Sequence, residues 1–101
     1  MQVINPNWNV SKNIHAFTTT REGGVSLEPY LSFNLGDHVG DDKSAVKTNR
    51  TLLVEKFGLP QKPIFLTQTH STRVLQLPYS GQNLEADAVY TNVPNQVCVV
   101  M

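Results

Sequence analysis

Apolar residues recur along this chain in two different rhythms. Between Ser44 and Phe57, Ala45, Val46, Leu52, Leu53 and Phe57 fall three and four apart, with Asn49 on the same face. That spacing predicts an amphipathic helix. Asp41 or Asp42 stands where an N-cap belongs and favours the positive end of the helix dipole. Gly58 occupies the left-handed C-cap position, Leu59 supplies the accompanying apolar contact, and Pro60 forbids continuation. The second rhythm is extended. Ile14–Thr20 is rich in aromatic and β-branched residues and predicts a strand, as does Pro63–His70, whose apolar first half turns polar. Arg73–Leu77 reads as the hairpin neighbour of the latter, with Ser71-Thr72 as the turn. Asp87–Thr91 is a further short strand, and Val97–Met101 an apolar, β-branched run that reads as a buried strand with Cys98 packed inside it.

Between these elements lie loops. Arg21–Ser26 contains Gly23-Gly24, which permit positive φ or a close backbone approach. Leu27–Val39 has no clean period and reads as an ordered loop with one short strand. Pro78–Glu85 is marked as loop by Pro78 and Ser80-Gly81. One helix among several strands with short links predicts an α+β fold, not a doubly wound parallel sheet. A buried strand at residues 97–101 requires neighbours on both faces, so the chain is expected to continue beyond Met101 and to be part of a larger domain.

Charge and composition remove several function classes. The 101 residues carry 8 Lys plus Arg against 8 Asp plus Glu, a formal net charge of zero. A nucleic-acid binder needs a basic face, and a membrane-surface protein a polybasic patch. No apolar run approaches bilayer-spanning length, and the first residues lack the charged start and apolar stretch of a secretory leader. The lone Cys98 cannot form an internal disulfide, which fits a reducing, cytoplasmic setting.

Spacing rules find no complete catalytic constellation. There is no C-x-x-C, H-E-x-x-H, Walker loop or G-x-S-x-G elbow. Of the three histidines, His70 stands at the polar end of a predicted strand just before a turn, where scaffolds present reactive groups. His38 lies in a loop and His15 early in a strand, and one local hydrogen bond would account for either. Arg21, Asn34, Asp37, Arg50, Gln68 and Asp87 are polar residues at element ends. Arg21 with the Gly23-Gly24 amides forms a reasonable anion site, because a guanidinium fork and exposed N–H groups both favour anions. The bland readings are a solvated Arg50, a turn-capping Asp87 and an Asx-turn at Asn34.

The motifs taken together are more specific. HAFTTTREGGVS (15–26), LSFNLGDHVGDD (31–42), Asn49-Arg50, LTQTHSTRV (66–74), EADAVYT (85–91) and the closing VCVVM occur in one order. In this the chain resembles the YfiH-type family, whose members are called multicopper polyphenol oxidases or laccase-domain proteins. They are also described as zinc-dependent purine nucleoside phosphorylases with adenosine deaminase activity. The resemblance implies an α+β sandwich related to toxin-type deamidases, with residues 1–101 as the N-terminal portion of one domain. It implies a His-Cys-His zinc site, a cytoplasmic enzyme, and purine nucleosides and phosphate as partners. The family's Gln-x-His motif falls on Gln68-Thr69-His70, so His70 is implied as first zinc ligand and catalytic residue. The family cysteine belongs to a Thr-Ala-Asp-Cys motif that would follow Met101, and the second histidine would lie further on; Cys98 matches neither. Arg21, Asn34, Arg50, Gln68 and Asp87 are implied to line or brace the substrate pocket. The chain alone, with one of three ligands, is expected to be inactive, to lose zinc, and to self-associate through its C-terminal strand. The alternatives are a copper-dependent phenol oxidase, a non-catalytic binding module, and a cysteine hydrolase with His70 as base.

Overall fold

The structure, a computed structural model, describes residues 2–100. They form two compact units, Met1–Leu52 and Leu53–Met101, with the boundary inside the helix. The helix α1 spans Lys43–Phe57, one residue longer than its pattern predicts. Asp42 is its N-cap: its carbonyl accepts the Val46 amide at 3.1 Å, and its carboxylate accepts the Ser44 amide at 3.2 Å and hydroxyl at 2.9 Å. At the other end Gly58 takes φ 56°, and the Leu59 amide reaches back to the Val54 carbonyl at 3.1 Å. That is the left-handed cap the sequence predicts. Val46, Asn49 and Leu53 are buried on one face, as the three- and four-residue spacing requires.

In the first unit, strands β1 (Val3–Ile4) and β2 (Thr18–Thr19) pair antiparallel, Val3 opposite Thr19 and Ile4 opposite Thr18. The strand expected over Ile14–Thr20 shrinks to these two residues, because β1 offers only two to pair with. His15 is exposed and lies outside it. The loop expected at residues 27–39 is ordered, but by turns, with no strand in it. The Arg21 carbonyl accepts both the Ser32 and Phe33 amides, at 2.7 and 2.9 Å, and the Ser26 amide bonds the Ser32 carbonyl at 2.8 Å. These bonds fold residues 21–33 back on themselves and bury Phe33 and Ser26.

That loop is tied to the helix through Asn49, which is fully buried. Its Oδ1 accepts the Val25 amide at 2.8 Å. Its Nδ2 donates to Ser26 Oγ at 2.9 Å, to the Asn34 carbonyl at 2.8 Å and to the Ser32 carbonyl at 3.3 Å. The amide on the apolar face is therefore a fully satisfied hub, the condition under which burying a polar group is tolerable.

In the second unit, β3 (Val74–Leu77) and β4 (Ala88–Thr91) pair in parallel, with Leu75 opposite Val89 and Leu77 opposite Thr91. The hairpin expected between 63–70 and 73–77 does not form. Residues 63–70 contribute only an isolated parallel bridge, Thr67 to Glu85. The reason lies in the turn: the backbone N–H groups of residues 69–71 are taken by the Asp87 carboxylate, not by a returning strand. β3 instead turns alternate residues Leu75 and Leu77 inward, and Leu75 joins Leu66 and Ala86 in a core bordered by Tyr79, Leu84 and Val89. Mixed small sheets with one helix agree with the α+β expectation. Residues 97–100 form no strand, and Cys98 is exposed, contrary to the buried strand expected there. An apolar run builds a strand only where a neighbour completes its ladder, and none does so among the described residues. Met101 lies outside them.

Candidate functional site

Three of the residues singled out in the sequence meet in the second unit. His70 follows the 63–69 segment in the left-handed region, with φ 57°. Histidine is among the few non-glycine residues that visit this region, at a cost of about 1–2 kcal/mol. Three consecutive amides offset that cost. Asp87 Oδ1 accepts the amides of Thr69 at 3.2 Å and His70 at 2.9 Å; Oδ2 accepts the Ser71 amide at 2.6 Å and the Ser71 hydroxyl at 2.9 Å. Successive N–H groups around a left-handed residue form a concave nest for an anion, and here the anion is the protein's own carboxylate. These bonds, the Ser71 amide foremost, hold the Asp87 carboxyl below its ordinary range. The Asp87 amide is in turn fixed to the Arg73 carbonyl at 3.1 Å, at the entry to β4. The nest consumes the backbone donors and leaves the His70 residue exposed.

Beside this turn is a small cleft lined by Leu66, Gln68, Asp87, Val99 and Val100. Gln68 is half-buried at its wall, and Asp87 serves both nest and cleft.

Since the left-handed backbone at His70 is the strained element, His70→Gly should leave the full-length protein about 1 kcal/mol more stable than His70→Ala, which lacks the imidazole equally but keeps the Cβ. Denaturant midpoints of the two variants check this, and equal midpoints would show that residue 70 is not left-handed.

Arg21, Asn34 and Arg50 belong to the first unit, and each is engaged by its own loops. Arg21 Nε donates to the Leu31 carbonyl at 3.0 Å. Asn34 Oδ1 accepts the Gly36 amide at 3.1 Å, an Asx-turn, and its Nδ2 bonds the Gly36 carbonyl at 3.0 Å and Asp41 at 3.1 Å. Asp41 also accepts the Ser26 hydroxyl at 2.6 Å, the main reason its carboxyl sits below the ordinary range. Arg50 Nε donates to the Leu35 carbonyl at 2.9 Å, with Nη1 3.8 Å from Asp37. Burial pulls its guanidinium down from the ordinary value, and Asp37 opposes that. Asp37 is held low chiefly by its 3.2 Å bond with His38.

Of the two glycine amides expected beside Arg21 in an anion site, that of Gly24 is engaged within the turn. The Gly24 amide donates to Ser32 Oγ at 3.2 Å and the Val25 amide to Asn49. The turn spends these donors inward. Asn49, which the pattern placed on the helix face without a role, and Thr69 and Ser71, passed over altogether, are structurally decisive. A polar residue on an otherwise apolar helix face is the signal for the first; the other two carry none, because their partner lies 16 and 18 positions away.

Among the described residues no group of three His, Cys, Asp or Glu side chains is placed to hold a metal ion. Partial desolvation pushes the Cys98 thiol up from its ordinary value. No helix among the described residues is long and apolar enough to cross a membrane.

The α+β arrangement is one that known proteins share. Residues 15–101 match the family described as multi-copper polyphenol oxidoreductase laccase, and the chain belongs to that family. A Haemophilus influenzae protein named purine nucleoside phosphorylase is 94% identical over 101 residues, which are the whole of this chain and 41% of that protein. An Escherichia coli protein named purine nucleoside phosphorylase YfiH is 46% identical over 103 residues, 99% of this chain and 42% of its own length. The crystal structure of Neisseria meningitidis protein NMB0706 superimposes with a TM-score of 0.77 at 38% identity, covering 89% of this chain and 37% of that one. The chain thus spans about two-fifths of the length of these relatives.

Proposed function

We propose that this chain is part of a purine nucleoside phosphorylase that cleaves adenosine or inosine with phosphate and also deaminates adenosine. The observation that carries this reading is the 94% identity, along the entire chain, to a protein named for phosphorolysis. In phosphorolysis a phosphate oxygen attacks the ribose carbon C1′, the bond from C1′ to the base breaks, and the purine leaves with the electron pair. The site must therefore hold an anion near a sugar and receive a flat base with polar edges. His70 is proposed as the residue that works at the reacting end, as one ligand of a His-Cys-His zinc set. Its remaining ligands are assigned to residues outside this sequence, since the described residues bring only one. Gln68 and Asp87, which line the same cleft, are proposed to border the substrate. Arg21, Asn34 and Arg50 are proposed to shape the loops on the substrate side. The chain by itself is proposed to be inactive and, with Val100 72% exposed, to self-associate through its apolar end.

The copper-dependent phenol oxidase reading has the family's description in its favour, but no relative cited above carries that name. The deciding experiment incubates the full-length protein with adenosine, with and without phosphate, and quantifies adenine, ribose 1-phosphate and ammonia alongside the metal content. Phosphate-dependent adenine release with about one zinc per chain is the expected result. Phenol oxidation by a copper-loaded protein inert toward nucleosides would overturn it.

A further inference from the structure

We infer that Asp87 is the positioning residue for His70: its carboxylate fills the nest of the Thr69, His70 and Ser71 amides and thereby sets where the imidazole stands. The importance of that imidazole for turnover rests on the functional reading above. The geometry of the brace does not. A carboxylate that accepts three consecutive amides and a hydroxyl, at 2.6 to 3.2 Å, fixes both dihedrals of the residue between them. It does so for a residue whose φ of 57° other side chains rarely adopt. Asp87 is itself immobilised by the hydrogen bond its backbone N–H donates to the Arg73 carbonyl and by β4, which begins at the next residue. Arg73 is held too, through Nη1 to the Glu85 carbonyl at 3.0 Å and Nη2 to the Tyr79 hydroxyl at 3.2 Å. The support thus runs from a strand to a carboxylate to the backbone of His70, a rigid path of the kind that holds a functional group within the tolerance chemistry needs. A residue acting only in stability would change how much protein is folded. A residue acting through His70 changes what the folded protein does.

The test uses the full-length protein with Asp87→Asn, Asp87→Glu, His70→Ala and the His70→Ala/Asp87→Asn pair, each checked by circular dichroism to be folded at the assay temperature. Asp87→Asn keeps the shape but replaces one acceptor oxygen by a donor that faces an amide. It should lower kcat for phosphate-dependent base release by about 100-fold, the scale of a displaced reacting group. Added to His70→Ala it should cost nothing further, because the two act as one unit. Amide hydrogen exchange should quicken at residues 69–71 and stay as in wild type at Leu75 and Leu77. If Asp87→Asn does not fold, Asp87→Glu retains the charge, shifts it by one methylene, and should show the same kcat loss and local exchange. An active wild type with equally active Asp87 variants, additive losses in the pair, or unchanged exchange at 69–71 would overturn the inference. A wild type inert toward nucleoside and phosphate would instead overturn the functional reading, and the exchange pattern alone would then decide the brace.

Discussion

Asn49→Leu is expected to destabilise the full-length protein by roughly 4 kcal/mol, a large share of an ordinary domain's stability. Leucine has the same four-atom branched skeleton, so no cavity opens, but its methyl groups are bulkier than the amide and add some overpacking. The larger part of the cost comes from the hydrogen bonds. Asn49 is wholly buried, and its removal strands the Val25 amide and the Asn34 carbonyl, bonded to it at 2.8 Å each. Both bonds are part-buried, so each group left unpaired costs toward the lower end of the about 1–3 kcal/mol of a buried one. Ser26 fares better, since its hydroxyl retains Asp41 at 2.6 Å, and the Ser32 carbonyl retains the Ser26 amide. Asn49→Asp should be no remedy: it keeps the acceptor for Val25 but turns a carboxylate oxygen toward the Asn34 and Ser32 carbonyls. Urea unfolding of both variants, with an unchanged dependence on denaturant, measures the effect. A loss below about 1 kcal/mol for Asn49→Leu would show that the loop does not depend on this amide.

Gly24→Ala is expected to cost about 3 kcal/mol for a different reason, overpacking. A Cβ at residue 24 would stand 2.3 Å from the Ser32 carbonyl oxygen, 2.5 Å from Asn49 Oδ1 and 2.6 Å from Phe33 Cα. Two of these three are backbone atoms, which cannot swing aside as a flexible side chain would. Gly58→Ala provides the contrast. It has φ +56° but open space around it, so only the dihedral penalty of about 1 kcal/mol applies. Combining Gly24→Ala with Asn49→Ala should cost less than the sum of the two, because one of the three clashes disappears with the amide. Thermal unfolding of the four variants reads both comparisons. A Gly24→Ala protein within about 0.5 kcal/mol of wild type would mean that the loop is not seated on the helix as described.

Both predictions locate the first unit's stability in a polar seam between loop and helix. The second unit uses a related device, since its turn is organised by Asp87. In each, one side chain satisfies several backbone groups of a loop that has no regular pattern of its own. This is how a chain with little strand structure keeps its loops ordered.

The legible part of the sequence was local. Ser44–Phe57 could be read as a helix because its face, its Asp42 cap and its Gly58–Pro60 stop all lie within a few residues of one another. The Asx-turn at Asn34 was readable for the same reason, and the ordered motifs carried the family. Gln68, His70 and Asp87 could be named from those motifs, but what joins them could not. Val97–Val100 shows the limit from the other side. Its composition is that of a buried strand, yet burial depends on what lies beside it, and no local property supplies a neighbour.

By itself, then, the sequence determined the helix and its ends, the turn-forming positions, the neutral net charge, and the family. Only the tertiary structure decided that β3 pairs in parallel with β4 and not in a hairpin with residues 63–70. It also decided that Asn49 is a hub and that Asp87 holds the turn of His70. The physical reason is range. Capping and periodicity act through covalently adjacent residues, whereas these bonds join residues from 15 to 24 positions apart, and their partners are chosen by the packing that brings them together.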